Sequence, residues 1–589
     1  MSDNRHVADL YLKLNGADAP RELVGDVLEI TVESSLHLPD VATVVLNDRR
    51  LKWVDDSRLA PGVLIEVSAR HGRMTESIFD GEIVEIEPQF EAEGLKVTVR
   101  AFDRLHRLGR GKHTRTFLNV TDSDVITQIA GEAGLQVQID ATTQVHPYLV
   151  QWNQTNLEFL RERAAALGYL MYVRRKTLHC TRLPSPGAPV ELKWGTDLVA
   201  FRPRLSTIDQ VNEVTVRGWN PLEKKAVVGK AESASVAPRI GAPETGGKLA
   251  QKAFAIKAED ALESAARIQP EAERIARAIL AHHESRGVEA EGTAAGNPKI
   301  VAGAAVKITN VGTRFSGTYV VTSAMHRYDA SGYVTDFSVS GMNPATLLSL
   351  VQPETPRLNV EGLVIGVVTD TNDPDKRGRV KVKFPTLADQ QSDWARVVSV
   401  GAGNGRGIEF LPEVNDEVLV GFEQGDVRAA YVIGGLWNGK DQPPKAPAEI
   451  VKNGKIEQRV IKSRSGHIIT LDDSDSAPSI TIEDKSGNVI KLDSKKNELT
   501  INVKGDGTIS ADGNLTIQAK GKVNIKSQQA LAIEGSTGLD LKSNANASLQ
   551  ANANLDLKAN AAAALQANAT LDVKSSAILT IQGTLVKIN

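Results

Sequence analysis

Residues 545–560 read ANASLQANANLDLKAN and residues 561–576 read AAAALQANATLDVKSS, two blocks that agree at 10 of 16 positions. Each block is two octads, and the octad phase extends outward without a slip. Ile501, Ile509, Ile517, Ile525, Ile533, Leu541, Leu549, Leu557, Leu565, Val573 and Ile581 fill one position of the repeat, eleven of eleven. Two residues upstream of each lies a partner position that is Leu or Val in eight of eleven, the exceptions being Gly507, Ala547 and Ala563. Successive strand side chains alternate faces, so two apolar residues at i and i+2 describe a short strand with one buried face. The predicted inward residues are Leu515, Ile517, Val523, Ile525, Leu531, Ile533, Leu539, Leu541, Leu555, Leu557, Leu571 and Val573. Between them stand Asp, Lys, Asn, Gln, Ser and Thr, which belong in water.

Composition narrows what such a segment can build. No aromatic residue follows Trp437, no proline follows Pro478 and no arginine follows Arg464. Without bulky side chains a globular core is out of reach, whereas a thin rod of stacked small layers is not. Low complexity often signals disorder, but disordered segments lack a strictly phased apolar position. A single-chain solenoid needs roughly 20 residues per coil, so eight residues supply about one face of a three-sided prism. Three chains could each give one face, or one chain could wind three octads per turn. The sixteen-residue super-repeat favours three chains, because sixteen does not divide into a three-octad coil, and interwound chains bury the strand edges that a lone rod exposes.

The whole chain has 589 residues, which implies several cores. Its 69 Lys+Arg and 72 Asp+Glu nearly cancel, so no global field for nucleic acid or membrane is present. Cys180 is the one cysteine, which excludes an intramolecular disulfide framework; it reads as a small apolar strand residue rather than a nucleophile. The N-terminus lacks a basic segment followed by an apolar run, and no stretch reaches about 18 apolar residues. Export by the general secretory route is therefore not expected.

From 1 to 345 short alternating strands dominate, among them DVLEITVESS, ATVVLN, VLIEVSAR and LKVTVRAFDR, separated by Gly, Pro and Asp turns. Two helices are predicted at 122–134 and 156–168, opened by Asp or Asn caps and closed by Gly. A second β-rich unit follows, interrupted by a polar stretch near 230–250 and a helix at 270–287. His282 and His283 in that helix point about 100° apart and are badly placed to share a metal, so they read as structural. The phrases SDVITQIAGEAGL, QTNLEFLRERAAALGYLMYV and GNPKIVAGAAVKITNVGTRFSGTYVVTSAMHRYDASGYVTDF resemble contractile-tail spikes: the hub protein of T-even phage, phage late control protein D, and VgrG. That resemblance implies two barrel domains, 1–190 and 191–345, which trimerise into a six-fold-like ring.

Residues 357–445 lie between Pro-bearing linkers at 343–357 and 441–447, and their five strands suggest an OB barrel. OB barrels often hold oligonucleotides on exposed aromatics beside a basic groove; neither is evident here, and nucleic acid is not an expected partner. GAGNGRG (401–407) lacks the strand-to-helix context and the Lys-Ser/Thr ending of a phosphate cradle. Its glycines instead permit a tight loop. VTDTNDPDKRGRVKVKFP, WARVVSVGAGNGRGIEFLPEVNDEVLVGFEQGD and YVIGGLWNGKD are similar to the OB module of VgrG and of phage baseplate assembly protein V.

Taken together these passages resemble a VgrG-like spike, in the order hub barrels, OB module, and a β-helix needle over 446–589 formed as an interwound homotrimer. The fold expected is mainly β, with small helical insertions in the hub. The resemblance implies a structural, membrane-puncturing spike that adapts a six-fold tube to a three-fold needle. Its implied partners are inner-tube and baseplate proteins, a transiently contacted target membrane, and a PAAR-type tip protein held on Leu579, Ile581, Leu585, Val586 and Ile588. Assembly in the cytoplasm and action outside the cell follow from the same likeness. The lean chain, without an inserted lysozyme or a C-terminal effector, is closest in pattern to extracellular injection particles such as antifeeding prophage and the Photorhabdus virulence cassette. Type VI VgrG, then a phage or tailocin spike, are the alternatives. Some phage spikes bind iron through His-x-His, but the last histidine here is His467. No catalytic, cofactor or metal residue is assigned. A β-helical glycan hydrolase or lyase would need carboxylates about 5 to 10 Å apart on adjacent coils, whereas Asp540, Asp556 and Asp572 recur only every second octad and alternate with Lys.

Overall fold

The computed structural model describes residues 10–71, 74–92, 94–182, 187–232, 239–241, 244–256, 258–262, 266–341, 362–385, 390–423 and 425–588. The linker expected at 343–357 lies outside them. Two compact units divide the chain, one up to Val460 and one from Ile461.

In the first unit, strands from both expected barrels join one antiparallel sheet of eleven. The seam is the pairing of Ser323–Asp329 with Val27–Ser35, in register Tyr328↔Ile30 and Ser323↔Ser35. On one side of it the sheet continues through Gly332–Val339 and Val288–Ala295 to the edge strand Leu198–Leu205; on the other it runs from Val41–Asn47 to Leu10–Leu14 and Ala17–Asp18. Alternation decides the faces. Ala42, Val44 and Leu46 are buried with Val97, Val99 and Ala101, while Thr43, Val45 and Arg100 between them stay partly exposed.

Residues 113–182 form a small α/β piece on the sheet. The helix Asp122–Glu132 and the helix Asn156–Leu167 pack with Phe117 stacked on Phe159, ring centroids 5.8 Å apart. Their caps differ from expectation by one residue. Thr121 and Thr155 are the N-caps, each in a reciprocal capping box with Asp124 or Glu158, and Asp122 and Asn156 are the first helical residues. The carboxylate three residues on makes Thr the better cap at both sites. Gly168, at φ +68°, closes the second helix in the left-handed conformation.

The helix Gln269–Ser285 lies on the three-stranded sheet built from Glu213–Asn220, Lys225–Ala231 and Ala258–Leu262. Its Ala272, Ala276 and Leu280 are fully buried, and a Cβ at Gly229 would stand 2.2 Å from the Ala272 carbonyl carbon. Close helix–sheet contact therefore requires glycine there. Inside the stretch expected to be merely polar lies a further helix, Gly246–Phe254, capped by Thr245; the two glycines at its start masked it in the sequence. Cys180 is buried in the strand Thr177–Thr181, and burial pushes its thiol up to about 12.

The central module is a six-stranded sheet in the order 390–391, 381–384, 364–370, 417–423, 426–435, 396–397. It closes on itself, because Ala395 bridges Val380 while Arg396 pairs with Tyr431 in parallel. Val368, Val382, Phe384, Val418, Val420 and Val432 fill the interior. The 401–407 loop is a short hairpin pairing Ala402 with Gly407 and Gly403 with Arg406, turned through Gly405 at φ +64°.

In the second unit Ile468–Asp472, Ser479–Glu483, Val489–Asp493 and Glu498–Asn502 form an antiparallel meander. After it the chain takes no intrachain ladder partner among the described residues. From Lys504-Gly505 to Thr584-Leu585 it bends every eight residues, with six residues of no regular secondary structure between bends. The strands expected in the octads are therefore not formed within the single chain, which offers them no ladder partner.

Candidate functional site: the assembly surfaces

The octad rod places every predicted inward residue on the outside of the single chain. Exposure ranges from 51% at Leu571 to 85% at Leu541, with Leu515, Ile517, Val523, Ile525, Leu531, Ile533, Leu539, Leu555, Leu557 and Val573 in between. Winding of one chain upon itself, three octads per turn, would bury these residues, and the structure does not adopt it. The bend pairs carry residues suited to them: Gly505, Gly513 and Gly521 early, then Ala545, Ala553, Ala561, Ala569 and Ala577, preceded by Asn at 544, 552, 560 and 568. One in-register ion pair is present, Lys574 Nζ to Asp572 Oδ2 at 3.2 Å, fully in solvent and weak. Leu579, Ile581, Leu585, Val586 and Ile588 are 53%, 69%, 74%, 46% and 87% exposed. The next octad positions after 581 hold Lys587 and Asn589, so Leu585, Val586 and Ile588 leave the inward phase.

The OB module also exposes apolar side chains. Val400, Phe410 and Trp437 are 93%, 68% and 70% exposed, which corrects the reading that exposed aromatics are absent here. In the neighbouring turn Arg377 and Arg379 are already engaged. Arg379 donates to Asp373 at 2.6 Å and to Asp375 at 2.8 Å, and that guanidinium, with backbone N–H groups, holds the Asp373 carboxyl well below the usual range.

Where the OB module meets the hub, aromatic packing and buried charge combine. Trp152, from the strand Val145–Gln154, packs edge-on against Phe384 and Phe422 at 5.7 and 5.6 Å, and the Tyr148 hydroxyl donates to the Gln391 carbonyl at 2.6 Å. Arg428 pairs with Asp426 at 2.9 Å and with Glu271 of the long hub helix at 3.6 Å, while Arg267 donates to the Arg428 carbonyl at 3.0 Å. Deeper in, Asp122 is fully buried. Desolvation opposes its charge, but Arg163 at 2.6 Å and His146 at 3.0 Å prevail and hold its carboxyl well below the ordinary range. Sequence reading missed this joint, because its partners lie far apart in the chain, Tyr148 and Gln391 by 243 residues and Trp152 and Phe422 by more. The run YLVQW at 148–152, buried through Gln151, was the available signal.

A third feature is an open groove of about 1150 Å³ on the large sheet, lined by Glu33, Leu38, Trp194, Val199, Arg202 and Glu291 among others. Beside it two acids share an enclosed corner. Burial pushes the Asp103 carboxyl up to about 7, and burial together with Asp103 raises Asp40. Among the described residues no group of three or more His, Cys, Asp or Glu gathers to hold a metal, and no helix is long and apolar enough to cross a membrane.

The family described as the Alg8 N-terminal domain matches residues 4–329, and the type VI secretion system/phage-baseplate injector OB domain matches residues 364–437. The type VI secretion system spike protein VgrG1a of Pseudomonas aeruginosa is 25% identical over 417 residues, covering 63% of this chain and 60% of that protein. VgrG5 of the same organism is 38% identical over 100 residues, 15% of this chain and 13% of that protein. The chain thus spans less than two thirds of the length of these curated relatives. A solved structure of a Francisella PdpA–VgrG complex shares the fold over 84% of this chain and 80% of its own, with a TM-score of 0.51 at 11% identity. A match over more than half the chain makes this protein a member of the Alg8 N-terminal domain family, and that region is followed in order by the match to the injector OB domain.

Proposed function

We propose that the chain is the puncturing spike of a contractile injection machine, acting as a homotrimer. The observation that carries this is the rod: nineteen of its twenty-two inward positions are Ile, Leu or Val, eleven in one column and eight in the other, and none is covered by its own chain. Three such chains would bury the columns against one another and satisfy every backbone donor and acceptor between chains, giving a stiff needle with a polar exterior. Force from a contracting sheath would reach that needle through the OB module and hub. The Trp152 and Arg428 contacts support this, since they lock those two parts of the first unit together. Inner-tube and baseplate proteins would meet the hub, and assembly would precede release from the cytoplasm.

Leu585, Val586 and Ile588 support a tip-protein surface, because they are apolar, exposed and out of phase with the needle interior. Leu579 and Ile581, still in phase, would form its base. The extracellular type of machine is our assignment, with a type VI spike as the second reading, favoured by the names of the curated relatives. Light scattering on the purified chain tests the central claim. A trimer has a mass of about 190 kDa, three times 63.3 kDa, and a monomer would sink the proposal. Turnover of peptidoglycan by the pure protein would move it to the glycan hydrolases instead.

A further inference from the structure

The octads have a weakness as a trimerisation device. A repeat of eight, with blocks 545–560 and 561–576 identical at 10 of 16 positions, lets three chains slip by one or two octads at little cost in burial. Patterning of this kind specifies a face and leaves the register open. Some other part of the chain has to fix it.

The meander immediately upstream has the required properties. Across its four strands Ile469 pairs with Ile482, Ile482 with Ile490, and Ile490 with Ile501; beside that row Leu471 pairs with Ile480, Ile480 with Leu492, and Leu492 with Leu499. Eight aliphatic side chains therefore make two ladders on one face, each residue 40–63% exposed. The opposite face carries Thr470, Thr481, Lys491 and Thr500 in register. The apolar face has no cover in its own chain, and its last pair, Leu499 and Ile501, is also the first pair of the octad columns. Unlike the octads, the meander is locked internally. Asp484 accepts from the Ser486 and Asn488 N–H groups at 2.9 and 2.8 Å, Gly487 turns at φ +82°, and Asn488 accepts from the Lys504 N–H at 2.7 Å, at the first bend. Its strand motifs begin at Ile469, Ile480, Ile490 and Leu499, at uneven spacing, so only one alignment of three copies brings all ladders together.

We propose that these four strands are the nucleus at which three copies of the chain first associate, packing their aliphatic faces about the common axis and setting the register that the octads then propagate. The inference rests on the trimeric reading. It takes continuity of the two columns as the reason that the occupant of the face is a second and third copy of this chain.

Refolding of the full chain by dilution from denaturant, with trimer followed by light scattering, tests it. Ile480→Thr, Ile482→Thr and Ile490→Thr together keep strand propensity while removing the ladders, and trimer formation should slow about tenfold or more, as for substitutions in a folding nucleus. Leu549→Thr, Leu557→Thr and Leu565→Thr should leave the formation rate unchanged and speed dissociation. The reverse pattern would overturn the proposal. Should the first variant fail to fold, full chains lacking 545–560 can be refolded together with wild-type chains. Register set upstream yields mixed trimers in binomial proportion, whereas sorting into pure trimers would place register in the octads and end the idea. A wild-type chain that stays monomeric would instead remove the trimeric reading itself and leave the face to another occupant.

Discussion

At the scale of single residues, two buried ionic sites make opposite demands. Asp103 is 3% exposed and its carboxyl is raised to about 7, against about 3.9 in an unfolded chain. The native state therefore holds a proton that the unfolded state has released between pH 4 and 7. Native stability from this site is greatest below about pH 4, falls as pH rises to 7, and is level above. Asp103→Asn should flatten that slope, so that thermal midpoints measured from pH 4.5 to 8 vary less than in the wild type; an unchanged slope would show that Asp103 ionises normally. Arg428 is the contrary case, a cation that Asp426 and Glu271 hold charged despite burial. Arg428→Ala leaves two carboxylates without their cation and should cost about 3–5 kcal/mol, read by denaturant unfolding, whereas Arg428→Met, which fills the space and keeps the stem, should cost less.

At the scale of elements, alternation and capping were legible in the sequence wherever one residue's environment is set by near neighbours. The barrel strands, both capped helices and the OB strands came from such local signals. The helix Gly246–Phe254 did not, because Gly246 and Gly247 argue against a helix start; a Cβ at Gly247 would sit 2.4 Å from the Val211 carbonyl oxygen, so tertiary contact rather than propensity placed glycine there. Gly229 is similar. It looked like an ordinary strand glycine, yet the helix Gln269–Ser285 passes so close that Gly229→Ala should force the helix outward and destabilise the unit by about 1–3 kcal/mol, with the thermal midpoint as readout. The Trp152 joint was illegible for another reason: an apolar run marks burial but carries no address for its partner. In the rod the repeat marks a phased apolar column that stands exposed on the single chain, and no property of one chain could reveal what would cover it.

At the scale of the whole molecule, the two units differ in where their stability resides. Every hydrophobic core cluster among the described residues lies at or before Val432, in the first unit. Past Ile461 the aliphatic side chains are abundant but uncovered, with Ile469, Ile490, Ile509 and Leu541 at 40%, 44%, 80% and 85%. Conformational entropy opposes order in any segment, and without burial nothing of comparable size offsets it. A chain ending at Val460 should therefore unfold cooperatively near the temperature of the first transition of the intact protein. The segment from Ile461 should be unfolded by circular dichroism when dilute and gain β structure only as concentration rises, because association supplies its core. A concentration-independent cooperative transition in the isolated 461–589 segment would mean that one chain can close the rod alone, and the three-chain needle would then have to be abandoned.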